Sequence, residues 1–331
     1  MIASAALAAW LADRNRQYQS HVAIEALARD WSRHRLVTGL MRRLSQLPDR
    51  SDGAIIEAAR GFFDDEDGIA ELVGSLIAAS RRDLFFRPPF QPMISEIHSG
   101  LLLFHNPFLS IALGVSGIET LAAKKTASRG GSVIFTGVTS LYRYLKAGGA
   151  TLSFWEAPPI TDDFVAAQAG QCRLVERRRI EDGEEVLVDG RYQSLIVDHA
   201  SSDIVYLQAT IRCGAAPLSV EYDSDTLSFI GASSTDEASS RLQMMVSMLR
   251  TMERHDALPL IQEALNSPHF YVRWHIMREM LAMDADAALP ALRRMAEKDP
   301  HPEVRAAARQ TMDMFFEEEE TATKGGVQCR A

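Results

Sequence analysis

The sequence predicts an α+β chain of several domains, with a helical N-terminal region, an antiparallel β middle and helical hairpins toward the C-terminal end. Three observations carry this reading. Apolar residues recur at helical spacing in residues 1–90 and again over 236–316, as they do in helices that bury one face. Over residues 97–232 they fall in short, often alternating runs separated by Gly, Pro, Asn or Asp, the pattern of strands joined by turns. The stretch 256–316 also matches itself at a shift of 31 or 32 residues, which marks a structural repeat.

With 331 residues, 47% of them hydrophobic and 24% charged, the chain has material for more than one packed core. A formal net charge of -9 argues against wholesale binding of nucleic acid or anionic lipid, both of which need a positive face. Cys172, Cys213 and Cys329 are too few for a disulfide framework or a four-cysteine zinc site and fit a reducing cytoplasm. The apolar start through Trp10 has no Lys or Arg before it, and Asp13, Arg14 and Arg16 follow at once, so it reads as helix rather than signal peptide. The run Phe108 to Ile118 is interrupted by Gly114 and Gly117 and is shorter than the roughly 20 residues of a membrane span.

In the first 90 residues, Ile24, Leu27 and Trp31, then Leu36, Leu40, Leu44 and Leu47, mark amphipathic helices, four being expected in all. The acidic turn Asp64-Asp-Glu-Asp67 offers Asp67 as the cap of a helix over 69–82. Residues 1–50 hold eight arginines against four acids, whereas 51–75 hold seven acids against one arginine. That asymmetry predicts that the turn covers an arginine face formed by Arg29, Arg33, Arg42 and Arg43, which would otherwise face an acidic partner or nucleic acid. Arg87-Pro-Pro-Phe-Gln-Pro92 ends the helices, because proline lacks the amide donor. Eleven strands follow: 101–105, 109–115, 132–138, 141–145, 151–155, 172–179, 184–188, 194–197, 204–211, 218–222 and 226–230. Helical period returns at 236–253, with Leu242, Met245, Met248, Leu249 and Met252 on one side. Residues 317–331, with four consecutive glutamates and no apolar face, are expected to be disordered.

In the repeat, Ala257-Leu-Pro259 matches Ala288-Leu-Pro290, and Pro268-His269 with Val272-Arg273 matches Pro300-His301 with Val304-Arg305. Each unit reads as a helix, a Pro-His turn and a second helix, with proline where a helix start leaves amides unpaired. Asp299 can cap the last of these helices, whose Val304, Ala307, Ala308 and Met312 would face inward. These residues resemble the HEAT-repeat family, in particular a short bacterial form in which Asp-Pro-His-Pro-Glu-Val-Arg-Ala-Ala-Ala, here Asp299 to Ala308, is typical. The resemblance implies stacked antiparallel hairpins that grip another protein, and an Arg273 or Arg305 paired with an acid of the neighbouring repeat. Two repeats need a cap, expected from helix 236–253. Partner contacts are expected at Arg273, Trp274, His275, Arg305 and Arg309.

The strand succession resembles a cupin-like jelly-roll barrel. That family holds iron or another divalent ion through His-x-His, a later Glu and a further His, a pattern absent here; His98, His105 and His199, with Glu119, are the nearest candidates for iron, manganese or zinc. Phe135, Tyr142, Tyr144, Phe154, Trp155, Tyr192, Tyr206 and Gln208 could line a small-molecule pocket or simply form core. The phosphate loops, dinucleotide fingerprints and Gly-x-Ser-x-Gly elbows of common enzyme classes have no counterpart in the sequence. The resulting expectation is a non-enzymatic accessory or regulatory protein that binds a partner protein or peptide through its repeats, without a cofactor. The alternatives are a metal-dependent, oxygenase-type enzyme and a small-molecule sensor, both using the barrel interior.

Overall fold

Short-range capping chemistry divides the N-terminal region more finely than apolar spacing suggests. Among the described residues five helices form where four were expected: α1 (Ala5–Ala12), α2 (Arg14–Arg33), α3 (Arg35–Ser45), α4 (Asp52–Phe63) and α5 (Glu66–Arg82). Asp13 accepts the Arg16 amide and opens α2, while His34 Nδ1 accepts the Leu36 amide at 3.3 Å and separates α2 from α3. These side chains satisfy amides that have no partner inside a helix. Asp65 rather than Asp67 caps α5, accepting from the Gly68 amide at 2.9 Å; Asp67 lies in the first turn, where its charge suits the helix dipole. This computed structural model describes residues 5–83, 85–95, 98–127 and 131–315. The expected disorder of 317–331 concerns residues outside that set.

Each of the eleven expected strands is present, as β2 (His98–His105), β3 (Leu109–Ser116), β4 (Ser132–Phe135), β5 (Thr139–Lys146), β6 (Thr151–Glu156), β7 (Arg173–Arg179), β8 (Glu185–Asp189), β9 (Gln193–His199), β10 (Ile204–Ile211), β11 (Leu218–Asp223) and β12 (Phe229–Ser234). They are preceded by β1 (Gln91–Ile94), and α6 (Ile118–Ala127) interrupts the β region. Backbone pairing gives a six-stranded sheet, β1-β2-β3-β10-β5-β8, and two three-stranded sheets, β12-β11-β4 and β7-β6-β9. The β region is thus antiparallel sheets rather than a single closed barrel.

The chain folds into two compact units, one of residues 1–159, 171–215 and 220–231, the other of residues 160–170, 216–219 and 232–331. In the first, the helices and the large sheet share one core: Leu40, Ile55, Phe62 and Phe63 pack with Leu109, Ile111, Leu141, Leu207 and Ile211. Trp31 Nε1 donates to the Leu103 carbonyl at 3.1 Å within it. The acidic turn pairs with Arg35 (Nε to Asp65, 2.9 Å) and with Arg143 of β5 (Nη2 to Glu66, 3.1 Å). Arg29 instead meets Glu25 of its own helix at 3.8 Å.

Opposed glycines fix how closely β2, β3 and β10 approach. Gly100 pairs with Gly114 across β2 and β3. A methyl on Gly100 would lie 2.5 Å from the Leu113 carbonyl oxygen, and one on Gly114 would lie 2.6 Å from the Tyr206 ring. Gly53 of α4 has nothing within 4 Å of such a methyl. In urea denaturation, Gly100→Ala is expected to lower the unfolding free energy by about 1–3 kcal/mol. Gly53→Ala should leave it unchanged or raise it by up to about 1 kcal/mol.

Candidate functional site

In the second unit the repeat is built as two hairpins behind a leading helix. These are α7 (Glu237–Thr251), then α8 (Leu258–Glu263) with α9 (Phe270–Met283), then α10 (Ala285–Lys298) with α11 (Pro302–Phe315). Asp236 opens α7 by accepting the Ser239 amide at 2.8 Å. Pro259 stands at the start of α8 and Pro302 opens α11, where the missing amide costs no helical hydrogen bond.

The repeated arginine has one job in both hairpins. Arg273 Nη1 donates to the carbonyls of Ser267 (3.0 Å) and Pro268 (2.8 Å); Arg305 Nη1 donates to those of Asp299 (2.6 Å) and Pro300 (2.9 Å). Each therefore staples the turn ahead of its own helix. Arg273 also forms a two-pronged bond to the next repeat, Nε to Asp299 Oδ2 at 2.8 Å and Nη2 to Oδ1 at 2.7 Å. This is the inter-repeat ion pair that the resemblance implied, with side chains only 9% and 4% exposed. Burial by itself would push the Asp299 carboxyl up, but the Arg273 guanidinium and the His301 amide hold it below the ordinary carboxylate value. Asp299 Oδ1 accepts that His301 amide at 2.9 Å, so it holds the turn just ahead of α11. Arg309 Nε donates to the Ala296 carbonyl at 3.1 Å.

The arginines expected to meet a partner thus bind main chain within the unit, whereas Trp274 and His275 line a cavity. That cavity, of about 410 Å³, is bounded by α7, α9 and α11. Phe270, Tyr271 and Trp274 form an aromatic wall opposite Val304, and Arg278 and Glu303 are its fully charged lining residues. His275 Nε2 lies 3.1 Å from Ser247 Oγ, which donates to Glu279 at 3.0 Å, so the α7 side of the cavity is hydrogen-bonded to α9. Just ahead of α11, His301 is stacked on Phe270 with ring centroids 3.8 Å apart. Its Nε2 donates to the Phe164 carbonyl at 3.1 Å, and Glu303 Oε1 accepts the Ala166 amide at 2.9 Å. Sequence reasoning missed Phe270, Arg278 and Glu303; the i, i+4, i+8 spacing of Phe270, Trp274 and Arg278 is the signal that marks them as one helix face.

The β-region candidates are dispersed. His98 sits near Ser116 Oγ (2.6 Å) and the Tyr206 hydroxyl (3.1 Å). His105 lies at the other end of β2, exposed, and His199 is exposed on β9 opposite Thr151. Among the described residues, no three His, Cys, Asp or Glu side chains are grouped as metal ligands. Of the aromatic set, Tyr142, Tyr144 and Tyr206 do come together, and Gln208 donates to the Tyr142 hydroxyl at 3.1 Å. Burial pushes the Tyr142 phenol up to about 12 and raises those of Tyr144 and Tyr206, so all three stay neutral near pH 7. Phe135 packs on Tyr222, Phe154 lies under Arg178, and Tyr192 is exposed.

Residues 231–313 match the family model for HEAT repeats. No curated protein sequence matches the chain. Among solved structures, ectoine synthase from P. lautus is similar at 9% identity and TM-score 0.23, over 36% of this chain and 67% of that one. A cupin domain from Bordetella pertussis Tohama I is similar at 10% identity and TM-score 0.22, over 36% and 98% of the two chains. A cupin-superfamily sugar phosphate isomerase from Silicibacter pomeroyi DSS-3 is similar at 11% identity and TM-score 0.23, over 42% and 78%. No described helix is long and apolar enough to cross a membrane.

Because removing one partner strands a buried charge, Asp299→Ala is expected to destabilise the repeats by about 3 kcal/mol. The depressed carboxyl makes this contribution present above the unfolded-state value and lost as pH falls through the folded-state value. The stability gap between the native chain and Asp299→Ala, measured by urea denaturation, should therefore be full at pH 7 and shrink below about pH 4.

Proposed function

We propose that the chain is a non-enzymatic accessory or regulatory protein that binds a partner protein through its HEAT-like repeats. One observation supports this reading above the others: the outward face of α7. The side of α7 that packs on α8 and α9 is Leu242, Val246 and Leu249, spaced i, i+4, i+7. Met245, Met248 and Met252, expected on that buried side, instead join Met244 in a stripe whose members are 54–60% exposed. Leu260 of α8 is 66% exposed in the same unit. The apolar spacing of α7 admits either face as the inner one, and α8 and α9 cover only one of them.

Clustered exposed methionines are costly to leave in water and are suited to a protein surface, since an unbranched, polarizable thioether adapts to the shape of what covers it. Helical hairpins that stack on one another present such a face rigidly. The buried Arg273 has the same implication, because its bonds to Asp299 hold the hairpins in one arrangement before any partner arrives, which lowers the entropy cost of binding.

The stripe can be tested on the full-length protein with Met244→Glu, Met248→Glu and Met252→Glu combined. These side chains are more than half exposed, so the melting temperature should stay nearly unchanged. A partner that co-purifies stoichiometrically with the native chain from its own cells should be retained at least about tenfold less. Equal retention by the folded variant would remove the repeats from the interaction.

A further inference from the structure

We infer that the cavity between α7, α9 and α11 is a recognition pocket for a short peptide segment of the partner, in which a large apolar residue is followed or preceded by an acidic one. The inference rests on the interaction reading above and gives that reading a ligand chemistry. The pocket is separate from the methionine stripe, since the α7 residue that lines it is Gln243, about 100° around the helix from Met244.

Three features select this occupant. The first is size and polarity: about 410 Å³ bounded by Phe270, Tyr271, Trp274 and Val304 accommodates an apolar anchor side chain with part of its backbone, at the small end of the range for ligand pockets. The second is charge. Of the charged side chains lining the pocket, Glu303 already accepts the Ala166 amide, whereas Arg278 is exposed and makes no hydrogen bond or ion pair among the described residues. The neighbouring carboxylate, Glu279, is held by Arg250 and Ser247. The pocket therefore presents an uncommitted guanidinium beside an aromatic wall, which matches a carboxylate next to an apolar side chain. The third is that this face already holds a segment of the chain by its main chain. Residues 160–170 belong to the same unit, and main-chain groups of Phe164 and Ala166 are bound by His301, just ahead of α11, and by Glu303 of its first turn. The segment reads Thr161-Asp-Asp-Phe-Val165, with both aspartates exposed. Glu303 is common to the held segment and the pocket, so a partner peptide would lie beside it on the same helix.

The probe is a displayed library of random short peptides, selected on the immobilised full-length protein and, in parallel, on Arg278→Glu. Arg278 is exposed, and a matching thermal melt will confirm that the variant is folded. The native chain is expected to enrich sequences with Asp or Glu adjacent to Phe, Trp, Leu or Met, and Arg278→Glu should bind an enriched peptide about tenfold more weakly or worse. The variant should enrich Lys or Arg at the same position, which a merely structural arginine would not bring about. Absence of enrichment over bare support, enrichment without acidic bias, or equal binding by Arg278→Glu would each overturn the pocket. The methionine variant reads the broader interaction independently, so a failed selection alongside a partner lost from that variant would leave the interaction reading standing without this ligand.

Discussion

The repeat unit depends on the buried pair between Arg273 and Asp299. Two charges with side chains 9% and 4% exposed carry a desolvation penalty that Coulomb attraction offsets only when the geometry is good and the remaining donors are satisfied. Here they are: the fork meets both carboxylate oxygens, Nη1 meets two turn carbonyls, and the carboxylate takes the His301 amide. The pair thereby joins α9 to the turn before α11, and those two helices form two walls of the pocket. Ser267 occupies in the first hairpin the position that Asp299 occupies in the second. The acid appears where there is a preceding arginine to receive, and the first hairpin has α7 before it instead.

The first unit follows a different logic. Its large sheet buries one face under the N-terminal helices with aliphatic and phenylalanine side chains. The other face carries a polar aromatic set, in which Tyr142, Tyr206, Gln208 and His98 satisfy one another. Phenols that burial keeps neutral donate and accept hydrogen bonds but do not act as bases near neutral pH. The Arg143 and Arg35 pairs tie the acidic turn down, so the turn is held by Arg35 and by a strand arginine that no local pattern could indicate, rather than by the face of Arg29, Arg33, Arg42 and Arg43.

Much of this was legible in the sequence, for physical reasons. A repeat writes the same turn and packing chemistry twice, so Pro268-His269 and Pro300-His301 announced both hairpins, while the arginine pairing was implied by the resemblance to HEAT repeats. Strands bounded by turn residues were legible for the same local reason. What escaped detection depended on tertiary context. The inner face of α7 was ambiguous because apolar residues surround it, and only α8 and α9 decide that Val246 is covered and Met248 is not. The helix α6 lies between strands with no alternation to reveal it, and β1 begins at Gln91 in a proline-rich stretch that also reads as a linker. His98, His105 and His199 share a residue type but not a location, and a histidine count cannot show that β2 separates two of them by its whole length. Arg278 and Glu303 come from different helices and line one pocket only once the hairpins stack.

The most direct test of the central claim, that the repeats are the interaction surface, is hydrogen–deuterium exchange on the full-length chain, free and in complex with the partner it co-purifies with. Slowed exchange is expected to be confined to α7, α9 and the first turns of α11, with the strands of the large sheet unchanged. Protection that falls on the sheets while the repeats exchange as in the free chain would contradict it.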